Sequence, residues 1–195
     1  MTAARFDETY YRRYYADAKT RVHDAGQIAH LALAVTEMIA WYGGSLESVL
    51  DIGAGAGRWR DWFGKHRPKS KYRSTEVSDY ACATFGHEQR DIATWRARER
   101  FDLIVCQGVL PYLGDEAAAA AIENIAAMSR GFLYVEAITR RDFDEICDQA
   151  KTDGDVHLRR ATWYRAHLSR HFVNVGCGLY YASRGPLRFY ELERA

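Results

Sequence analysis

The sequence has few of the features that mark a specialised class of protein. Only four cysteines occur among its 195 residues, at positions 82, 106, 147 and 177. They form no C-x-x-C pair and have no histidine nearby at metal-ligand spacing, so neither a disulfide framework nor a zinc site is expected. This usage is typical of a reducing compartment, and we predict a cytoplasmic protein.

Long apolar runs and an excess of one charge are also missing. No window approaches the length of uninterrupted apolar sequence that a membrane helix needs, and the N-terminal residues are charged and tyrosine-rich. The formal net charge of +1 provides no global field to attract nucleic acid or an anionic membrane. We therefore expect neither as a partner, while the sequence leaves the oligomeric state open.

The apolar content is sufficient for one sizeable core, since 48% of the residues are hydrophobic. No repeat, linker or shift in composition marks a boundary. We predict a single domain over residues 1–195. It is divided into an N-terminal helical cap (1–44), a cofactor-binding core (46–137), and a substrate-side insert with the C-terminal strands (138–195).

Short apolar runs alternate with helical patterns through the middle of the chain. The runs predict strands at residues 48–52, 72–77, 101–107 and 131–137. The segments between them predict helices at residues 58–65, 80–85 and 115–128. This alternation is typical of an α/β fold with a doubly wound, mostly parallel sheet, here of seven strands.

The two ends of the chain have different patterns. Residues 6–42 are predicted to be helical, with the second helix entered near Asp24. After Arg140 we expect helices at 142–150 and 162–171, then strands at 172–182 and 187–193. A turn at 183–186 separates these last strands, which predicts a C-terminal antiparallel hairpin.

A glycine-rich loop follows the first predicted strand. Gly53, Gly55 and Gly57 come directly after residues 48–52, and helical spacing resumes at Arg58. Glycine allows a sharp turn at positive φ and a close approach of a ligand to the backbone. The G-x-G-x-G spacing does not match the G-x-G-x-x-G fingerprint of dinucleotide enzymes, so a pyrophosphate cradle is not favoured.

Two acidic residues flank this loop in the predicted sheet. Asp51 precedes it, where a carboxylate repels phosphate but attracts a cationic ligand. Glu76 closes the second strand, where a carboxylate can accept hydrogen bonds from both ribose hydroxyls. Together they indicate a cationic, ribose-bearing ligand, whereas the loop alone is also compatible with an ordinary strand-to-helix turn.

These features resemble the class I (Rossmann-like) S-adenosylmethionine-dependent methyltransferases of the small-molecule type. The resemblance is carried by residues 49–57 (VLDIGAGAG), Glu76, residues 90–92 (RDI) and residues 101–113 (FDLIVCQGVLPYL). It covers roughly residues 46–137 and implies a methyltransferase with S-adenosyl-L-methionine as its cofactor.

The resemblance also implies how the donor is held. Asp51 and Gly53 would approach its methionine moiety, Glu76 its ribose, and Asp91 its adenine amino group. The other positions expected to bind the donor are Gly55, Gly57, Val77, Ile92 and Gln107. No metal ligand set is expected.

Methyl transfer from a sulfonium is an in-line displacement, so the protein mainly aligns the acceptor and excludes water. A general base is needed only if the acceptor must lose a proton. The candidates are His157, which lies in the insert after the fourth predicted parallel strand, and Tyr15 in the N-terminal tyrosine cluster. Each has a structural alternative: a surface or capping histidine, and a tyrosine that packs on the core.

We expect a small-molecule acceptor, because little sequence is added to the core and no recognition domain is appended. A tRNA or rRNA methyltransferase is the first alternative, since residues 58–73 are rich in basic side chains. A non-catalytic module that only binds S-adenosylmethionine is the second. DNA amino-methylation is not expected, because residues 110–112 (LPY) lack the D/N-P-P-Y tetrapeptide of those enzymes.

Overall fold

A computed structural model describes residues 5–194 and has a seven-stranded sheet at its centre, in the order β3-β2-β1-β4-β5-β7-β6. The strands are β1 Ser48–Ile52, β2 Lys71–Glu76, β3 Glu88–Gln89, β4 Phe101–Gln107, β5 Ser129–Glu136, β6 Phe172–Gly176 and β7 Leu179–Ala182. Strands β1 to β5 pair in parallel, and β7 pairs antiparallel with both β5 and β6. The predicted α/β fold class is confirmed.

The helices connect the strands in the order expected of a doubly wound fold. They are α1 Glu8–Tyr11, α2 Ala25–Trp41, α3 Arg58–His66, α4 Asp79–Phe85, α5 Asp115–Met128, α6 Arg140–Glu145 and α7 Ala161–Leu168. A π-helical turn, Arg12–Ala16, continues α1. The predicted entry near Asp24 is confirmed, because Asp24 and Gln27 form a capping box at the start of α2.

Apolar side chains fill both sides of the sheet. In β4, Leu103 and Val105 face a cluster with α2 and α3, whereas Ile104 and Cys106 face a cluster with α5 and α7. Alternate residues of a strand point to opposite faces, so a strand buried on both sides reads as a continuous apolar run. This explains why β1 and β4 were recognisable in the sequence.

The strand order reverses between β1 and β4. In open α/β sheets, ligands bind outside the carboxyl ends of the strands at such a switch point. The glycine loop begins at Gly53, directly after β1, and β4 ends at Gln107. The topology therefore brings these two predicted donor-binding positions to the same edge of the sheet.

The C-terminal hairpin exists, but its predicted location is wrong. The predicted single strand 172–182 is divided into β6 and β7 by a turn, in which Gly176, Cys177 and Gly178 all have positive φ. The predicted strand 187–193 is instead irregular chain ending in a 3-10 turn, Glu191–Glu193. Gly176 and Gly178 are the signal for this turn, but they lie within a segment whose pattern predicts a single strand.

The helix predicted at 142–150 is also misplaced. It begins at Arg140, because Thr139 and Asp142 form a capping box, and it ends at Glu145. Beyond it, the side chain of Asp148 accepts a hydrogen bond from the backbone N–H of Ala150. This local bond competes with helical pairing and favours a turn.

Candidate active site

The glycine loop is built from left-handed backbone. Gly53, Gly55 and Gly57 have φ values of 66°, 58° and 75°, a region that other residues rarely adopt. A Cβ on Gly53 would lie 2.3 Å from Cγ2 of Val109, in the segment after β4. Glycine at position 53 is therefore required both by its dihedral angle and by the close approach of the β4 loop.

Asp51 is a buried acid directly beneath this loop. Its side chain lines the larger of two cavities at the carboxyl edge of the sheet, and the residue is 2% exposed. The hydroxyl of Tyr72 donates a hydrogen bond of 2.7 Å to Oδ2 of Asp51. Burial raises the pKa of Asp51 to about 7, with a further increase from Glu76, while Tyr72 and Arg60 act in the opposite direction.

Glu76 connects the loop to the end of β2. Its Oε2 accepts a hydrogen bond of 3.1 Å from the N–H of Gly55, and its Oε1 accepts bonds from the N–H groups of Val77 and Ser78. The side chain also lines the smaller cavity, together with Val77 and Ile92. Glu76 thus fixes the shape of the loop and presents a carboxylate to the cavity.

His87 supports the loop from the other side. Its Nε2 lies 3.0 Å from the carbonyl oxygen of Gly55, and its Nδ1 lies 2.8 Å from the hydroxyl of Ser74. A carbonyl can only accept, so we assign the ring proton to Nε2 and the Ser74 hydroxyl as donor to Nδ1. Burial lowers the pKa of His87, and this neutral ring has a structural role.

The two cavities adjoin one another. The larger has a volume of ≈ 170 Å³ and the smaller of ≈ 50 Å³. Six residues line both: Tyr10, Tyr15, Gly53, Gln107, Gly108 and Tyr112. The predicted donor-binding residues Asp51, Gly53, Glu76, Val77, Ile92 and Gln107 are thereby brought together around one composite site.

The N-terminal tyrosines cover this composite site. The Tyr15 ring lies over the loop, where a Cβ on Gly55 would be 2.7 Å from its hydroxyl. The hydroxyls of Tyr10 and Tyr112 are 2.7 Å apart, and Tyr112 donates to Asp153 at 3.2 Å. The segment 5–24 is therefore a lid whose inner surface is aromatic.

Arg58 fastens the lid to the glycine loop. It is the first residue of α3, and its guanidinium donates to the backbone carbonyls of Tyr15 and His23. Both acceptors belong to the lid, and Arg58 also lines the larger cavity. A single side chain thus links the donor loop to the segment that covers it.

Tyr15 was predicted as a candidate base. Burial raises the pKa of its hydroxyl well above the usual value, and Glu76 and Asp51 contribute in the same direction. This shift does not favour ionisation of the hydroxyl, and the role of Tyr15 as a base stays a prediction.

The wall opposite the lid is polar. Gln107 accepts a hydrogen bond of 2.9 Å from Nε1 of Trp59 and donates one of 3.2 Å to Oε2 of Glu136. Tyr134 also donates to Oε2 of Glu136, at 3.2 Å. None of the ion pairs among residues 5–194 involves Glu136 or Asp51.

Four predicted residues do not line either cavity: His157, Asp91, Gly57 and Gly55. His157 is exposed, and its backbone N–H donates to the carbonyl of Pro111 at 2.8 Å. The carboxylate of Asp91 accepts a hydrogen bond of 2.9 Å from the N–H of Ala93. Gly57 turns the chain into α3 without reaching the cavities.

Sequence reasoning missed Trp59 and Glu136. Glu136 is the last residue of β5, so its position at a strand end was the available signal, the same one that identified Glu76. The only sequence pattern that includes Trp59 is a helical spacing of apolar residues. That pattern does not distinguish a side chain that lines a cavity from one that packs in the core.

The sequence of residues 10–179 matches the family model described as a methyltransferase domain. The chain belongs to this methyltransferase family. The predicted class of enzyme and its methyl donor, S-adenosylmethionine, are confirmed. No curated protein gives a significant match.

Solved structures of other proteins have the same fold. The N-methyltransferase NodS from Bradyrhizobium japonicum WM9, in complex with S-adenosyl-L-homocysteine, is 17% identical, with a TM-score of 0.63 over 90% of this chain and 98% of that chain. Magnesium protoporphyrin IX methyltransferase from Synechocystis PCC 6803, with bound SAM, is 18% identical, with a TM-score of 0.58 over 96% and 95%. DesVI from Streptomyces venezuelae is 18% identical, with a TM-score of 0.60 over 79% and 90%.

The described part of the chain has no membrane-spanning candidate. No helix within residues 5–194 has both the length and the apolar character that a bilayer crossing requires.

Proposed function

We propose that this methyltransferase binds S-adenosylmethionine across the two cavities and methylates a small-molecule acceptor in the larger one. The observation that carries the proposal is Asp51, a carboxylate that is 2% exposed, lines the larger cavity and has no cationic partner among the described residues. A buried, unpaired carboxylate is unfavourable unless a ligand supplies the opposite charge. The donor carries both an ammonium and a sulfonium.

The residues present fit the rest of the donor. Glu76 can accept from ribose hydroxyls at the smaller cavity, where Val77 and Ile92 provide apolar contacts for the base. Arg58 is the cation in the lining of the larger cavity, and we assign it to the donor's carboxylate. Gly53, which lines both cavities, allows close approach of the ligand to the loop.

When bound, the donor supplies a methyl group on a positively charged sulfur that is a good leaving group. The chain's own contribution is alignment and exclusion of water. Tyr10, Tyr15 and Tyr112 cover the site, while Gln107 and Trp59 form its opposite wall. We assign no base role to His157, since it lies outside both cavities.

A small acceptor is supported by the way the larger cavity is enclosed. Its lining comes from the lid, from the ends of β1, β4 and β5, and from the segment that contains Thr152, Asp153 and Val156. This supports the predicted division into a cap (1–44), a donor-binding core (46–137) and a substrate-side region (138–195). One structural relative is a magnesium protoporphyrin IX methyltransferase, an enzyme named for a small-molecule substrate.

The RNA alternative is less well supported. In the basic stretch 58–73, the guanidinium of Arg67 pairs with Glu37, and that of Arg73 pairs with Glu88 and Glu99. Side chains that already form ion pairs bind a phosphate backbone less strongly than unpaired cations do.

The alternative of a non-catalytic binding module requires Tyr14, Tyr15 or Trp163 to fill the space for the acceptor. Both tyrosines line the larger cavity, which has a volume of ≈ 170 Å³ beside them, and Trp163 does not line it. This alternative is therefore also less well supported.

We also propose a cytoplasmic location. All four cysteines are free thiols, which agrees with a reducing compartment.

Calorimetric titration with S-adenosylhomocysteine tests the donor site. We expect one binding site per chain. We also expect Asp51→Asn to weaken binding at least about tenfold through the loss of a charge-assisted hydrogen bond. Asp61→Asn is the matched control, because this carboxylate lies on the exposed side of α3 and is 68% exposed. Equal affinities for all three proteins would contradict the donor site.

A further inference from the structure

Glu136 lines the larger cavity and not the smaller one, and no ion pair among residues 5–194 includes it. Its Oε2 is held by the side-chain amide of Gln107 and the hydroxyl of Tyr134. No described side chain or backbone N–H donates to its Oε1. The anchoring bonds fix one oxygen at the end of β5 and leave the other available to a ligand.

Aromatic rings surround the same space. Tyr10, Tyr14, Trp59 and Tyr112 all line the cavity. Aromatic rings attract organic cations through their quadrupoles. An aromatic wall beside one unpaired carboxylate is therefore a site that favours a positively charged group.

The other charged groups of the cavity do not offset Glu136. Asp153 is paired with Arg5 at 2.9 Å. Arg58 donates to two carbonyls of the lid. In the proposed donor complex, Asp51 faces the donor's ammonium and Arg58 its carboxylate, so Glu136 remains the unpaired carboxylate of the cavity lining. An anionic acceptor would be repelled by Glu136, and a neutral one would gain nothing from it beyond a single hydrogen bond.

We propose that the acceptor is a small amine that enters as an ammonium ion and is held by the free oxygen of Glu136 inside the aromatic wall. The chain is then an N-methyltransferase. This inference rests on the proposed function, because it requires the donor to occupy the site formed by Asp51 and Glu76.

The proton balance agrees with this role. An ammonium nitrogen must lose one proton before it can attack. The Glu136 carboxylate can form an O–H bond as the N–H bond breaks, leaving the electron pair on nitrogen. That pair then forms the bond to the methyl carbon while the carbon–sulfur bond breaks and its electrons remain on sulfur. No further reactant is needed.

The test uses three probes of nearly equal size that differ in one group: benzylamine as its ammonium ion, benzyl alcohol and benzoate. Their affinities are measured by NMR titration against the full chain saturated with S-adenosylhomocysteine. We expect benzylammonium to bind at least about tenfold more tightly than benzyl alcohol, since a charge-assisted hydrogen bond contributes about 1.5–3 kcal/mol. Benzoate should bind more weakly than both.

Glu136→Gln preserves the shape of the side chain and removes its charge, so it should abolish the preference for benzylammonium. Asp155→Asn is the matched control; it removes one negative charge from a side chain that is 90% exposed and does not line the cavity, and it should retain the preference. S-adenosylhomocysteine affinity should be unchanged in Asp155→Asn, and Glu136→Gln is titrated at saturating S-adenosylhomocysteine.

The outcomes separate the two proposals. If S-adenosylhomocysteine binds and benzylammonium shows no advantage, or shows the same advantage in Glu136→Gln, the amine inference is overturned while the donor site stands. Failure of all three probes to bind the donor complex also overturns it. Absence of S-adenosylhomocysteine binding would overturn the proposed function and this inference together.

Discussion

Tyr72 and Asp51, on the neighbouring strands β2 and β1, are joined by a hydrogen bond of 2.7 Å from the tyrosine hydroxyl to Oδ2 of the carboxylate. Tyr72 is the one group that donates to this side chain in the described part of the chain. The bond partly offsets the effect of burial, which raises the pKa of Asp51 to about 7. Asp51 is therefore close to half-ionised at neutral pH, in the absence of a ligand.

Donor affinity should depend on pH through Asp51. The ligand's ammonium binds the ionised carboxylate, so affinity for S-adenosylhomocysteine should rise about tenfold between pH 6 and pH 8. At the lower pH values, binding should release a proton from Asp51. Calorimetry in buffers of different ionisation enthalpy measures both quantities. Tyr72→Phe removes a bond that favours the ionised form, so the rise should move to higher pH. A flat profile in the unmodified chain would contradict the assignment.

The stability of the free protein should also report on Asp51. The pKa of Asp51 in the folded state, about 7, lies above the ordinary value of 3.8, so between these two pH values the folded state binds more protons than the unfolded state. The contribution of Asp51 to the free energy of unfolding then falls as pH rises from about 4 to about 7. Asp51→Asn lacks this decline, so between pH 5 and pH 8 its stability should rise relative to that of the unmodified chain by an amount on the order of 3 kcal/mol. Urea unfolding of both proteins at the two pH values measures this change, and equal pH dependence in the two proteins would contradict the assignment.

The donor side of this site was largely predictable from the sequence. Asp51 lies in β1, a buried parallel strand with an apolar run, and Glu76 stands at the buried end of the mostly polar strand β2. The glycines mark a turn that few other residues can form. The order of these features along the chain then determines their proximity, because parallel strands end at one edge of the sheet.

The acceptor side could not be predicted in the same way. Tyr15 meets Gly55, and Arg58 meets the carbonyls of Tyr15 and His23, only because the lid folds back over the sheet. The hydrophobic periodicity of a sequence predicts local structure and does not predict such contacts between distant segments. His157 illustrates the limit, since its place in the chain suggested the site and its side chain is exposed.

Substitution of Gly55 should act through the lid as well as the loop. A Cβ there would lie 2.7 Å from the Tyr15 hydroxyl, and the φ of 58° is strained for any other residue. Gly55→Ala should therefore weaken S-adenosylhomocysteine binding and lower the melting temperature. Adding Tyr15→Ala removes the clash and leaves the dihedral strain, so the double variant should recover part of the lost stability. Additive losses in the double variant would show that the two residues do not meet.

Glu76 should show a difference between two substitutions. Its carboxylate accepts from three backbone N–H groups and lines the smaller cavity. Glu76→Gln keeps an acceptor for part of this network, whereas Glu76→Ala leaves the N–H groups of Gly55 and Val77 without their partner. We expect both to weaken donor binding, by about 1.5–3 kcal/mol for the alanine. Only the alanine should also lower the melting temperature strongly. Calorimetry and thermal unfolding of both variants separate the ligand contact from the support of the loop.

Arg58 should control the opening of the lid. Its guanidinium is the link between the first turn of α3 and the backbone of Tyr15 and His23. Trypsin sites at Lys19 and Arg21 lie in the lid and report its opening. Arg58→Ala removes two charge-assisted hydrogen bonds, so cleavage at these sites should accelerate at least about tenfold.

Arg67→Ala is the control for Arg58→Ala, because Arg67 pairs with Glu37 on α2 and does not contact the lid. Bound S-adenosylhomocysteine should slow cleavage in the unmodified chain, since the lid covers the donor site. Equal cleavage rates in Arg58→Ala and Arg67→Ala would mean that the lid is held by its aromatic contacts alone.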